Sequence, residues 1–229
     1  SLEAVLPEAG ELSELSGSLL APGMLPGLWP TGTTEITFAS CVAFFDGTRT
    51  VRIPREGYEE TVRIPKADRR VVELAVRNAV KEGKLWLTAG PASLFKEYIP
   101  PGILTDAAIL NPPPEDILPT DILPASISDA WAEKETTAAA IATILSQRKG
   151  KILPWVTVRE ALDGSFRARM LDRTLDSGPW PCDWPGASAI KVRVPTEAPL
   201  PPPPPPPRPG VLTAEAELKT GELQDLADE

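Results

Sequence analysis

The side chains in this sequence best suited to chemistry are basic and aromatic, and they crowd into one stretch. Arg159, Arg167, Arg169 and Arg173 recur at short intervals, with Lys191 and Arg193 beyond them. Guanidinium groups on a helix supply phosphate contacts and bidentate pairing to guanine, so these six residues are the predicted DNA-binding set. The same arginines are interleaved with Glu160, Asp163, Asp172 and Asp176, which equally describes a solvated, salt-bridged helix. Between the last arginine of the run and Lys191 lies Pro179-Trp180-Pro181-Cys182-Asp183-Trp184-Pro185. Its two indoles can stack a base, receive a peptide or pack back onto their own domain, and Trp180 and Trp184 are the predicted protein-binding residues.

Other chemistries lack their parts. The chain has no histidine, so no Ser, Cys or Thr nucleophile can be paired with a His base, and a Lys or carboxylate base needs a burial that sequence does not display. Cys41 and Cys182 are too few for a disulfide framework or a four-ligand zinc site. Thr88-Ala89-Gly90-Pro91-Ala92-Ser93 follows an apolar run, but it lacks the second glycine and the Lys-Ser/Thr pair of a phosphate loop; it predicts a strand-to-helix turn. No catalytic residue, cofactor or metal ligand is expected.

The elements that must position the arginines are legible in outline. Glu135-Thr136-Thr137 opens a helix over Ala138 to Lys149, with Ile141, Ile144 and Leu145 on one face and Gly150 as its stop. A second, short helix is predicted from Thr157 to Leu162, broken at Asp163-Gly164. Ser165 then caps a third, with Phe166, Met170 and Leu171 facing inward and the arginines outward. Ala189 to Val194 returns as a strand. Helix, turn, arginine-bearing helix and terminal strand make the layout of a winged-helix module.

The first half reads differently. Ile36 to Phe45 is strand-like and Asp46-Gly47 is a turn signal, so a hairpin with Thr50 to Ile53 is predicted. Thr50-Val51-Arg52-Ile53-Pro54 is echoed by Thr61-Val62-Arg63-Ile64-Pro65, which predicts neighbouring edge strands each ended by its proline. Lys66 to Gly83 carries Val71, Val72, Leu74, Ala75, Val76, Ala79 and Val80 at helical spacing. Leu85-Trp86-Leu87 predicts a buried strand, and Pro91 to Tyr98 a brief helix. From Ile103 to Trp131, Asn111-Pro112-Pro113-Pro114 and the tandem units Asp116 to Pro119 and Asp121 to Pro124 predict an extended, polyproline-like crossing. Pro199 to Pro209 is nearly pure proline, either a passive linker or a ligand for aromatic grooves with Arg208 as its flanking charge.

Composition sets the frame. Of 229 residues 28 are proline, roughly twice the usual share of about 5%. The net charge of -9 argues against the whole chain being a general polyanion binder, yet Lys134 to Val194 carries a local balance of about +4. No basic and apolar leader or long apolar span stands out, so a cytoplasmic protein with no membrane partner is expected. The start at Ser1 without Met, and the acidic, helix-like Ala214 to Glu229 at the other end, suggest a piece of a longer chain.

Three stretches carry a family resemblance: Leu85 to Ser93; Thr136 to Leu171, including Leu153-Pro154-Trp155-Val156-Thr157-Val158-Arg159; and Ser177-Gly178-Pro179-Trp180-Pro181-Cys182. Together they resemble the C-terminal region of large, uncharacterised prokaryotic AAA-type ATPases encoded with DNA methyltransferases in phage-defence clusters. Glu222 to Asp228 looks like the start of a further element of that family. The resemblance implies that the nucleotide site lies outside this chain and that this region is a DNA-engaging or subunit-docking attachment to the motor.

The sequence therefore predicts an α+β chain with a lead-in (1–34), a small strand-rich α+β domain (35–99), a proline-rich connector (100–132), a winged-helix-like domain (133–195), a proline-rich linker (196–212) and the start of a further element (213–229). Its predicted function is that of a non-catalytic accessory region of a defence-type ATPase, with DNA and the rest of the ATPase or other subunits as partners. The alternative is a protein-interaction scaffold using the Trp/Pro loop and the proline-rich segments.

Overall fold

The computed structural model describes residues 11–195, without the side chains of Pro54 and Arg55. The fold is α+β, with eleven short strands and four α-helices among the described residues. The proline rod, Arg208 and the acidic terminal stretch lie outside the described residues.

The first half begins with β1 (Glu11–Leu12) and a 3-10 turn at Gly17–Leu20, whose Leu20 is buried with Leu25 and Leu28. After β2 (Ile36–Thr37) comes α1 (Phe38–Phe44), where a strand was predicted. Thr37 is the reason: its side chain accepts the Ser40 N–H (3.0 Å) and starts a helix. Phe38, Cys41, Phe44 and Phe45 then fall on one buried face, while Ala39, Ser40 and Ala43 are exposed. Asp46-Gly47 ends this helix instead of turning a hairpin. The hairpin lies one step on, between β3 (Thr50–Arg55) and β4 (Tyr58–Arg63), which pair antiparallel. The eleven-residue echo does fall on neighbouring strands, although Pro54 sits inside β3 and does not end it.

β5 (Lys66–Ala67) pairs parallel with β1 and leads into α2 (Arg69–Lys81). Val72, Ala75, Val76, Ala79 and Val80 of α2 are buried, but Leu74 is 60% exposed. β6 (Trp86–Ala89) turns at Gly90 into β7 (Ala92–Leu94), so the predicted helix from Pro91 is a strand and the glycine turn joins two strands. The predicted extended crossing also contributes to a sheet: β8 (Ile109–Asn111) is a central strand in the order β2-β8-β6-β7. Farther along the same stretch, Ile122 and Ile127 are fully buried in the second core.

The second half contains β9 (Glu135–Thr137), α3 (Ala138–Lys149), α4 (Trp155–Arg167), β10 (Asp172–Arg173) and β11 (Lys191–Arg193), with sheet order β10-β11-β9. The two helices predicted on either side of Asp163-Gly164 are one helix. A Cβ on Gly164 would lie 2.7 Å from Pro119 Cγ, so glycine serves close packing here, and that contact overrides its helix penalty of about 1 kcal/mol. Ser165 is buried inside α4 and donates to the Leu162 carbonyl (2.8 Å), so it caps nothing. Leu171 is buried as predicted, whereas Met170 is exposed.

The two halves follow one plan. With β3, β4, β5 and β7 set aside as additions, strand, helix, helix, strand, strand recurs as β2-α1-α2-β6-β8 and as β9-α3-α4-β10-β11, and β8 and β11 each lie between the other two strands of their series. The match extends to single bonds. Thr37 and Thr137 each cap a helix, accepting from Ser40 N (3.0 Å) and Ala140 N (3.1 Å). Phe38 N–H donates to the Ala108 carbonyl (2.8 Å) and Ala138 N–H to that of Ile190 (2.9 Å). Both α2 and α4 have 13 residues and exit through a left-handed residue, Gly83 (φ +69°) and Arg169 (φ +54°). The next residue donates to Ala79 O (2.8 Å) in one half and to Ser165 O (2.9 Å) in the other, and buried Leu85 and Leu171 follow. The halves differ mainly in the β3-β4 hairpin, which lies between α1 and α2; five residues join α3 to α4.

Each half has its own core, and a small seam joins them. Trp86 and Phe95 of the first pack with Val156 and Leu153 of the second. Lys151 pairs with Glu35 and donates to Asn111 Oδ1 (2.7 Å), Lys96 pairs with Glu160 (3.1 Å), and Ser93 Oγ donates to the Ile152 carbonyl (2.6 Å). Among the described residues every buried side-chain polar atom has a partner.

Candidate functional site

The six predicted DNA-binding residues do not share a helix. Arg159 is half-buried within α4, and Arg167 is the last residue of that helix, its Nε donating to the Asp163 carbonyl (3.3 Å). Arg169 sits in the turn beyond, and Arg173 is on β10, its Nη1 donating to the Gly178 carbonyl (3.5 Å). Lys191 and Arg193 are on β11. Lys191 is ion-paired with Asp176, and Arg193 has Asp172 and Glu135 as its cross-strand neighbours. The Lys191 ammonium, with the Thr174 hydroxyl, holds the Asp176 carboxyl down at about 2. The third helix that was to carry the arginines is absent, so the expected array is divided among helix end, turn and strands.

The two tryptophans of the Trp/Pro loop have opposite fates. Trp180 folds inward, edge-on to Phe166 (ring centroids 5.5 Å) and to Trp155 (6.3 Å), and its indole N–H donates to Asp163 Oδ1 (2.7 Å). Trp184 is 52% exposed and leans on Trp155 at 5.8 Å. The chain has six tryptophans. The indoles of Trp29, Trp86, Trp131, Trp155 and Trp180 all donate to protein acceptors. Trp184 alone has an N–H with no acceptor among the described residues.

That indole lines a groove of about 1130 Å³ along the seam. One wall is the β6-β7 hairpin and its continuation to Tyr98, and the other is α3, the turn to α4, and Asp183-Trp184. Tyr98 is 76% exposed, and the Lys81 ammonium lies 4.6 Å from its ring centroid. Ile152 is exposed in the floor turn. Burial pushes the Glu97 carboxyl above the usual range; Arg159 opposes the shift and Asp183 adds to it. Two carboxylates and one guanidinium therefore share the site. Arg159 belongs to this groove with Trp184, which brings together two residues that the sequence had assigned to different ligands.

No family model matches the chain, and no curated protein or solved structure matches it.

A second hollow of about 600 Å³ is bounded by Pro112 to Pro114 and by Arg148, Lys149 and Lys151. Its cations are already engaged: Lys149 with Glu115, Arg148 with Asp129 (3.7 Å), Lys151 with Glu35. Cys41 is buried in the first core, which pushes its thiol up to about 12 and removes it from nucleophilic chemistry at neutral pH. Among the described residues no three His, Cys, Asp or Glu side chains come together as a metal site, and no helix is long and apolar enough to cross a membrane.

Sequence reasoning missed Glu97, Tyr98, Ile152 and Asp183 as site residues. A faint signal existed: Glu97-Tyr98 and Asp183-Trp184 are both an acid followed by a large aromatic, and both end in the same groove.

Proposed function

We propose that this chain is a non-catalytic protein-docking module made of two winged-helix-like units in tandem. In line with the resemblance of its second half, it serves as a cytoplasmic accessory region of a larger defence-type ATPase. The repeated strand-helix-helix-strand-strand plan, with the last strand central, supports the winged-helix reading. The observation that carries the docking function is the seam groove, lined by an exposed Trp184 whose N–H has no acceptor among the described residues and by an exposed Tyr98. Large aromatics with a free polar handle on a concave surface are the usual anchors of protein interfaces. The test is selection of a random displayed peptide library on the full chain and on Trp184→Ala. Peptides enriched on the wild type and lost on the variant support docking, and a selection with no dependence on Trp184 rejects it.

A second reading, contact with duplex DNA, is favoured by α2 over the predicted arginines. Along α2, Arg69, Arg70, Arg77 and Lys81 accompany a single acid, Glu73, whereas the matching α4 has Arg159 and Arg167 against Glu160 and Asp163. The second helix of such a pair is the one that enters the major groove in helix-turn-helix proteins. Duplex affinity that falls steeply with salt and is lost in Arg70→Ala/Lys81→Ala supports this reading; no binding at low salt rejects it.

A further inference from the structure

We infer that the seam groove receives a proline-rich strand of a partner polypeptide, an inference that rests on the docking reading above. Proline has no backbone N–H, so a polyproline strand presents carbonyl acceptors, apolar ring faces and nothing that donates. The groove is complementary on each count. Its indole N–H at Trp184 is a donor that finds no acceptor among the described residues, where the other five indoles each have one. Its two exposed rings, Trp184 and Tyr98, both line it and supply flat surfaces for pyrrolidine rings. Both rings are held before any ligand arrives, Trp184 by Trp155 at 5.8 Å and Tyr98 by the Lys81 ammonium at 4.6 Å. A preorganised groove and a stiff ligand both reduce the ordering cost of association.

The charges of the groove balance. Glu97 and Asp183 face Arg159 within the lining and the Lys81 ammonium on the Tyr98 ring, while Lys151 is committed to Glu35 and Asn111. An uncharged proline strand therefore meets no electrostatic penalty there.

The test uses the full chain labelled with 15N, following the six indole N–H signals while a synthetic peptide of about ten prolines is added. The Trp184 signal is assigned by its absence in Trp184→Phe. The expected result is a saturable shift of that signal. Affinity should fall about tenfold in Trp184→Phe, which keeps a ring and removes the donor, and about tenfold in Tyr98→Ala, which removes the second ring. No saturable shift of Trp184 at millimolar peptide, or equal affinity in wild type and both ring variants, overturns the inference. If the displayed library yields Trp184-dependent peptides without proline, docking stands and this ligand assignment falls. If no Trp184-dependent peptide emerges, both fall.

Discussion

Replacing Arg169 by glycine should make this protein more stable, although it removes one of the residues whose type first suggested function. Arg169 leaves α4 at φ +54°, in the left-handed region, and Gly83 occupies the matching position after α2 at φ +69°. For a residue with a Cβ that conformation costs about 1–2 kcal/mol. Glycine avoids the clash but loses about 0.5–1 kcal/mol more conformational entropy on folding. The difference predicts a net stabilisation of about 0.5–1 kcal/mol for Arg169→Gly. Little opposes it: the side chain is exposed, and the backbone N–H bond to the Phe166 carbonyl (3.1 Å) survives the change. The reciprocal change, Gly83→Ala, should destabilise by about 1–2 kcal/mol, since its Cβ would also lie 3.1 Å from Lys96 Cγ. Urea denaturation of the three proteins, with equal slopes, is the assay; in thermal melts each kcal/mol corresponds to about 2–4 °C. An unchanged or lowered midpoint for Arg169→Gly would refute the reasoning.

Gly17→Ala should cost about 1–3 kcal/mol in the same assay, because its Cβ would stand 2.7 Å from Ala79 N and 2.8 Å from Ala75 O, backbone atoms of α2 that cannot step aside; wild-type stability would contradict that packing. Lys151→Met should cost about 1–3 kcal/mol by leaving the Oδ1 of fully buried Asn111 without its donor, and a loss below about 0.5 kcal/mol would show that another donor takes over. Asp176, at about 2 against its ordinary 3.8, has a depressed folded pKa, so the stability from its pairing with Lys191 is present above 3.8 and lost as pH falls through about 2. Carboxyl NMR should find that midpoint in the wild type and a return toward 3.8 in Lys191→Ala; identical midpoints would remove Lys191 as the cause. Burial raises the Glu97 pKa, so its charged form disfavours folding as pH rises above 4.5. Glu97→Gln should therefore gain stability at pH 7 relative to pH 4, a difference that denaturation at the two pH values measures directly.

What could be read in advance follows the range of the forces involved. The α3 helix from Ala138 to Lys149 was legible because both of its ends are written locally, Thr137 as cap and Gly150 as a left-handed stop. α1 was misread although it has the same threonine cap, because Phe38, Cys41, Phe44 and Phe45 sit among other apolar and β-favouring residues, and a short apolar run does not distinguish strand from helix. α4 was split because Gly164 is a local breaker, and only Pro119, far away in sequence, explains its presence. The repeat is hard to read for a related reason: Glu35-Ile36-Thr37-Phe38-Ala39 and Glu135-Thr136-Thr137-Ala138-Ala139 match at Glu, Thr and Ala, too short a likeness to stand out, while the hydrogen bonds that equate them reach to Ala108 and Ile190.

By itself the sequence determined what acts within a few residues: the threonine caps, the glycine exits, the burial periodicity of α2 and α3, and, through its lack of histidine, the exclusion of a histidine base. Tertiary structure decided which side chains meet. It turned Trp180 inward onto Phe166 and left Trp184 open, committed Lys191 to Asp176, and brought Glu97-Tyr98 and Asp183-Trp184 into one groove. Caps are local hydrogen bonds that a short peptide already contains. A groove is the gap between surfaces whose residues meet only after two separate cores have formed and packed at Trp86, Phe95, Leu153 and Val156.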